Sequence, residues 1–188
     1  YNEYKAETET IISKYQSDEF ITVNIRPATI CGYSRRQRLD VVVNLLSNFA
    51  YHKRKMTIFG GEQLRPNIHI NDLSHIFLQV LNASDQTVSG QAYNCGVKNY
   101  KVKEIANIVK EVMGIDIEII TEKTDDNRSY HINSDKIFNV LGFKPKKNID
   151  IAIKDLIAAF KEKKFFNTFE NDDYFNIKKM QKINLIWK

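Results

Sequence analysis

Tyr1 and Lys5 stand four residues apart. On a helix that spacing sets two side chains one above the other on the same face. A phenol with a pKa near ~10 is a poor base at neutral pH. An ammonium group held beside it favours the phenolate by charge, and a second positive neighbour adds to the effect. A shift of about three units takes roughly 4 kcal/mol, within reach of a dry site. The pair is therefore a candidate general base with its activator, although a surface helix pair has the same spacing. Basic residues also gather in Arg35-Arg36-Gln37-Arg38 and in Lys53-Arg54-Lys55. The second cluster reads as solvated surface. Cys31 and Cys95 each sit inside an apolar stretch and read as small core residues. No Cys/His spacing suggests a metal site.

Those residues need elements to position them. At 188 residues the chain is long enough for one compact domain. Its 43% hydrophobic and 27% charged residues are ordinary for a globular protein. No apolar run approaches the ~20 residues that cross a bilayer. The opening YNEYKAETET is too polar for a secretory signal, and a start on Tyr points to a processed chain or a fragment. Residues 1–16 read as a helix with Ile11, Ile12 and Tyr15 as its buried end. Residues 21–32 begin as an alternating strand and run into a Pro-containing turn. Val42, Leu45, Leu46 and Phe49 predict an amphipathic helix over 39–52.

Short strands are expected at 56–59, 67–70, 91–95 and 115–120. A helix capped by Asn71 or Asp72 should follow the second of these. Ile105, Ile108, Val109 and Val112 mark a helix stopped by Gly114, and a shorter one over 134–141 is closed by Gly142. Ile149, Ile153, Leu156, Ile157 and Phe160 define a last long helix. Residues 121–129 read as an exposed loop, and the chain beyond Lys164 as a tail whose aromatics pack on something. The class is α/β, without a G-x-x-G-x-x-G phosphate loop and without a long buried strand at its start.

Five blocks in order then carry a resemblance: YNEYK, NIRPATICG, RPNIHINDLSHI, YNCG and DDNRSYHINSDKIFNVLGFKP. Together they resemble the extended short-chain dehydrogenase/reductase family, specifically its NAD-dependent nucleotide-sugar epimerases and dehydratases, over residues 1 to about 160. The resemblance implies the C-terminal portion of a Rossmann-type fold together with its smaller α/β substrate-binding region. Residues 1–32 would end the Rossmann domain. Residues 33–164 would form the substrate-binding region, with 67–96 packing back on the Rossmann sheet, and 165–188 a tail.

It further implies that Tyr1 takes the proton of a sugar hydroxyl while a hydride passes to NAD or NADP, and that Lys5 binds the nicotinamide ribose. Pro27 and Thr29 would lie at the nicotinamide, with Thr29 also touching substrate. Arg65 and Arg128 match arginines that clamp the diphosphate of a nucleotide-diphosphate sugar, for which a planar fork of donors is suited. Arg36, Arg38 and Asn44 are further candidates for the same cleft. Asp72 would cap a helix, and His69 reads as a packed strand residue.

The sequence departs from the family at Cys31-Gly32-Tyr33, where a Pro or an aromatic-Gly-Pro step is usual, and it has no dinucleotide-binding glycine loop. The isolated chain is accordingly expected to be inactive. Expected too are a cytoplasmic location, no membrane or nucleic-acid partner, no metal and a possible homodimer. Two other readings stay open. One is a net NAD(P)-dependent sugar oxidoreductase of the same superfamily. The other is a basic nucleic-acid-binding module using Arg35–Arg38 and Lys53–Lys55, whose affinity would fall steeply with salt.

Overall fold

The computed structural model describes residues 2–114, 116–125 and 128–183. Its described strands form three small sheets. In the first, β1 (Asn24–Pro27) runs parallel to β5 (Ala92–Cys95). In the second, β2 (Thr29–Cys31) runs parallel to β4 (Leu64–His69), which is antiparallel to β6 (Lys98–Lys101). In the third, β3 (Lys55–Phe59) runs parallel to β7 (Glu118–Glu122). The first two share one stretch of chain, which changes partners at Ala28. The Ala28 N–H donates to the Cys95 carbonyl at 2.8 Å. The next residue, Thr29, is already in register with Asn67 of β4. Pro27, with no N–H to give, suits the end of a strand.

Two apolar cores hold these sheets. In one, α2 (Val42–Lys53), α5 (Val102–Met113) and α7 (Ile149–Lys161) pack together, burying Val43, Leu46, Met56, Ile105, Val109 and Ile153. In the other, α3 (Ile70–Asn82) and α6 (Asp135–Leu141) cover β1 and β5 through Ile76, Ile137, Phe143 and Tyr93. The apolar spacing of α7 is used as predicted, with Ile149, Ile153, Leu156 and Phe160 all buried. Asn148 caps it by accepting the Ile151 N–H at 3.1 Å. Gly114 and Gly142 end α5 and α6 in the left-handed region at φ 62°, where a Cβ would be strained.

Several expectations need correction. Helix α1 spans Asn2–Ser13, and Ile11 and Tyr15 are 53% and 67% exposed rather than buried. Polar links tether this segment instead. Arg26 Nε donates to Glu9 at 2.8 Å, and the Gln16 amide accepts the Thr22 N–H at 2.7 Å. No described element covers the apolar face. Helix α2 begins at Val42 and is buried almost all round, including Asn44, Ser47 and Asn48, because it lies between α5, α7 and the tail. Phe169 of that tail meets Phe49 with ring centres 5.0 Å apart.

Strand β4 starts at Leu64, three residues early, and β7 lies at Glu118–Glu122 rather than 115–120. Strand β6 was not anticipated. Its KNYK sequence offers a single apolar side chain, so it has no alternation to read. A short helix α4 (Asp85–Val88) fills the expected turn before Gly90. The tail contains a 3-10 turn at Asp172–Tyr174 and helix α8 (Asn176–Lys182).

The cap of α3 is neither Asn71 nor Asp72. His69 takes that position, and its Nδ1 accepts the Asn71 N–H at 3.1 Å. Asp72 lies within the first turn, where the helix dipole favours a carboxylate. Its oxygens are occupied by the backbone N–H groups of Lys146 and Lys147, at 2.9 to 3.2 Å, which pins the approach to α7.

Candidate active site

The chain leaves β2 through Gly32 at φ 100°, a region that excludes most side chains. It then makes a loop that carries Arg36 and Arg38. Two buried amides brace this loop. The Gly32 N–H donates to Asn44 Oδ1 at 3.1 Å, and Asn44 Nδ2 donates to the Arg38 carbonyl at 2.9 Å. Gln37, 3% exposed, accepts the Ser34 N–H at 3.0 Å and donates back to the carbonyls of Gly32 and Arg38. The polar face of α2 thus has a local purpose. Asn44 is buried because the loop offers both a donor and an acceptor to its amide, which offsets its desolvation.

A second arm comes from β4 and the segment before α6. Arg65 Nη1 donates to its neighbour carbonyl at Leu64 (2.9 Å) and to the Arg128 carbonyl (2.6 Å). Its guanidinium carbon stands 5.2 Å from the ring centre of Tyr130. Ser129 Oγ accepts the Leu64 N–H at 2.9 Å. Arg65 is thereby held by one nitrogen and a ring face. Its Nε and Nη2 make no hydrogen bond to described residues, so that edge of the fork can still meet an acceptor.

These pieces face one cleft of about 1110 Å³. Lys5, Pro27, Thr29, Arg36, Arg38, Asn44, Arg65 and Arg128 all line it, so the predicted site residues that fall in the described regions share one cavity. Tyr1 lies outside the described residues. Five of the lining side chains are cationic, and among the described residues no Asp or Glu lines the cleft. Sequence reasoning missed Gln37, Ser129 and Tyr130. Gln37 sits between arginines in a loop without periodicity, where no spacing signals burial. Lys53, Arg54 and Lys55 do not line the cleft. Arg54 closes α2 in the left-handed region, and Lys55 pairs with Glu118 at 3.3 Å.

The other reactive groups are sealed. Cys31 and Cys95 are buried free thiols, and burial pushes both up to about 12. Each donates to a backbone carbonyl at 3.4 Å, that of Ile68 and of Tyr93 respectively. His69 is buried beside Gly32 and spends both ring nitrogens on Asn71 and Asp155. Among the described residues, no helix is long and apolar enough to cross a membrane.

The scaffold is thus mixed α/β with parallel strand pairs, and it carries a cleft lined by five cations. The sequence model of the NAD dependent epimerase/dehydratase family matches residues 1–96, just over half of the chain, and the chain belongs to that family. Solved structures share the fold. The UDP-glucose 4-epimerase of Thermotoga maritima, solved with UDP-glucose, is similar with a TM-score of 0.73 at 19% identity, over 86% of this chain and 53% of that one. The dTDP-glucose 4,6-dehydratase of Bacillus anthracis, solved with NAD, gives 0.68 at 20% identity, over 93% and 53%. The ADP-L-glycero-D-manno-heptose-6-epimerase of Helicobacter pylori gives 0.69 at 21%, over 84% and 49%. The chain spans about half the length of these structures.

The family's cofactor can be tested against the donors present. Lys5, the Thr29 hydroxyl and the flat Pro27-Ala28 edge line the same cleft. A cation and a hydroxyl beside an apolar surface fit a ribose and a planar ring. Among the described residues, no strand is followed by a G-x-x-G-x-x-G turn of the kind that cradles a pyrophosphate.

Proposed function

We propose that this chain supplies the sugar-nucleotide cleft and the tyrosine–lysine pair of an NAD-dependent epimerase or dehydratase acting on a nucleoside-diphosphate sugar. One observation carries the reading: Lys5, Arg36, Arg38, Arg65 and Arg128 line a single cleft, and among the described residues no carboxylate lines it with them. A diphosphate is the ligand chemistry that such a set accommodates best, because the planar guanidinium fork matches phosphate oxygens. Arg65 and Arg128 form the proposed diphosphate clamp, and Arg36 and Arg38 add charge from the loop after β2. Thr29 and Lys5 serve the cofactor end.

In this reading the Tyr1 phenolate takes the hydroxyl proton of the sugar carbon being oxidised. The Lys5 ammonium keeps that phenol ionised. Held at the Lys5 and Thr29 end, NAD would supply the hydride acceptor for that carbon. The residues of the chain hold the phosphates, orient the sugar and receive the proton. In the same reading residues 1–32 belong to the cofactor side, and residues 33–164 mainly to the sugar side.

The test is calorimetric titration of the chain with UDP and with thymidine diphosphate at two salt concentrations. Binding should weaken as salt rises, and Arg65→Ala or Arg128→Ala should cost about 10- to 100-fold in affinity. No binding of either diphosphate, or binding indifferent to both arginines, refutes the cleft assignment. In a turnover-competent form of the enzyme, Tyr1→Phe should abolish activity, and intact turnover would remove Tyr1 from the role of base.

A further inference from the structure

The loop that carries Arg36 and Arg38 is gripped by the chain after α7. At the start of the loop, the Tyr33 ring lies 5.7 Å from Phe165, and Lys164 Nζ lies 4.9 Å over Tyr33. At its end, the Leu39 N–H donates to the Tyr174 carbonyl at 3.0 Å. The Asp40 carboxylate is shared between the two segments. Its Oδ1 accepts Arg38 Nε at 2.8 Å, and its Oδ2 accepts the backbone N–H of Asn176 at 2.9 Å. Arg36 Nη2 donates to Asn176 Oδ1 at 3.1 Å.

The gripping segment is itself closed. The Phe166 N–H donates to the Tyr174 hydroxyl at 3.2 Å, and Phe165 stacks edge-on against both Phe160 and Tyr174. Phe169 seats against Phe49 and His52 of α2. The segment thus rests on the α2–α7 core at one side and on both ends of the basic loop at the other.

We infer that residues 165–176 are a strap that sets the positions of Arg36 and Arg38, with Asn176 a positioning residue for diphosphate binding. This rests on the proposed reading of the cleft. An arginine in an open loop loses side-chain freedom each time it meets a phosphate. One already anchored through Nη2 or Nε has lost much of that freedom beforehand, so less affinity is spent on ordering it. Asn176 acts through Arg36, and Asp40 acts through Arg38. Because Asn176 accepts at one nitrogen, the remaining donors of Arg36 stay available.

The test uses the full 188-residue chain and UDP as the probe. Asn176→Ala should weaken UDP binding about three- to tenfold. Asn176→Asp, which keeps an acceptor at the same place, should restore it. The double variant Arg36→Ala/Asn176→Ala should bind no more weakly than Arg36→Ala alone, since both act through one side chain. Losses that add in the double variant overturn the inference.

Amide exchange across residues 34–40 gives a reading that needs no ligand. Asn176→Ala should speed exchange there, and Asn176→Asp should not. Should the wild-type chain bind no UDP, the cleft assignment fails, and exchange alone judges the strap. Loop amides as protected in Asn176→Ala as in wild type overturn it.

Discussion

His69 Nε2 stands 3.1 Å from Asp155 Oδ2, joining the end of β4 to the middle of α7 across the first core. The opposite ring nitrogen accepts the Asn71 N–H. That bond fixes the tautomer, so Nε2 carries the proton and donates it to the carboxylate. One imidazole therefore caps a helix, links two elements and fills the space beneath Gly32.

This arrangement predicts a pH dependence of stability. Burial lowers the His69 pKa below its ordinary 6.5 and is the largest influence. The hydrogen bond and charge of Asp155 oppose it, Lys147 adds to the lowering and Asp72 opposes it. A histidine held neutral by the fold binds its proton more readily when unfolded. Its contribution is full above about pH 6.5 and is lost as pH falls through the lower folded value. Urea midpoints at pH 7.5 and 5.5 should show wild type losing more stability than His69→Gln over that interval. His69→Ala should cost about 2–4 kcal/mol at neutral pH through the cavity and the two orphaned partners. Equal pH slopes in wild type and variant would contradict this.

Gly32→Ala should destabilise the fold by about 1–3 kcal/mol. The backbone there has φ +100°, and an added Cβ would stand 3.1 Å from His69 Nε2, an atom that cannot retreat without releasing Asp155. Denaturant unfolding measures the cost. A neutral result would mean that the turn can reopen without disturbing the histidine.

Cys31 and Cys95 should resist alkylation in the native chain at pH 8. Burial pushes each thiol up to about 12, and the thiolate is the reactive form. Mass spectrometry after iodoacetamide treatment should find both unmodified in the native protein and both modified in denaturant. Native labelling of either would show that its surroundings open.

Much of this framework is written locally. Gly114 and Gly142 follow periodic apolar runs and end helices because only a residue without a Cβ takes that backbone conformation easily. The α7 stripe is legible because one face of that helix meets the core. The candidate residues are spread from Lys5 to Arg128 in the sequence, and they line one cleft. What escaped notice depends on tertiary partners. Gln37 is buried for the sake of loop carbonyls and an N–H group that no periodicity announces. His69 became the α3 cap because its ring, held by Asp155 from a distant helix, reaches Asn71 first. Ile11 and Tyr15 were read as buried from their apolarity alone, but burial needs an opposing surface, and no described element provides one.

The exchange of partners at Ala28 gears the two ends of the cleft together. Pro27 is in register with Cys95 and Thr29 with Asn67, and one residue separates them. A slip of a single position in either sheet would turn alternate side chains to the opposite face. It would drag Pro27 and Thr29 out of place along with the strand that bears Arg65. Under the proposed reading, the distance between the place for a planar ring and the place for phosphates is thus held like the teeth of a rack, and a ligand would have to match that span.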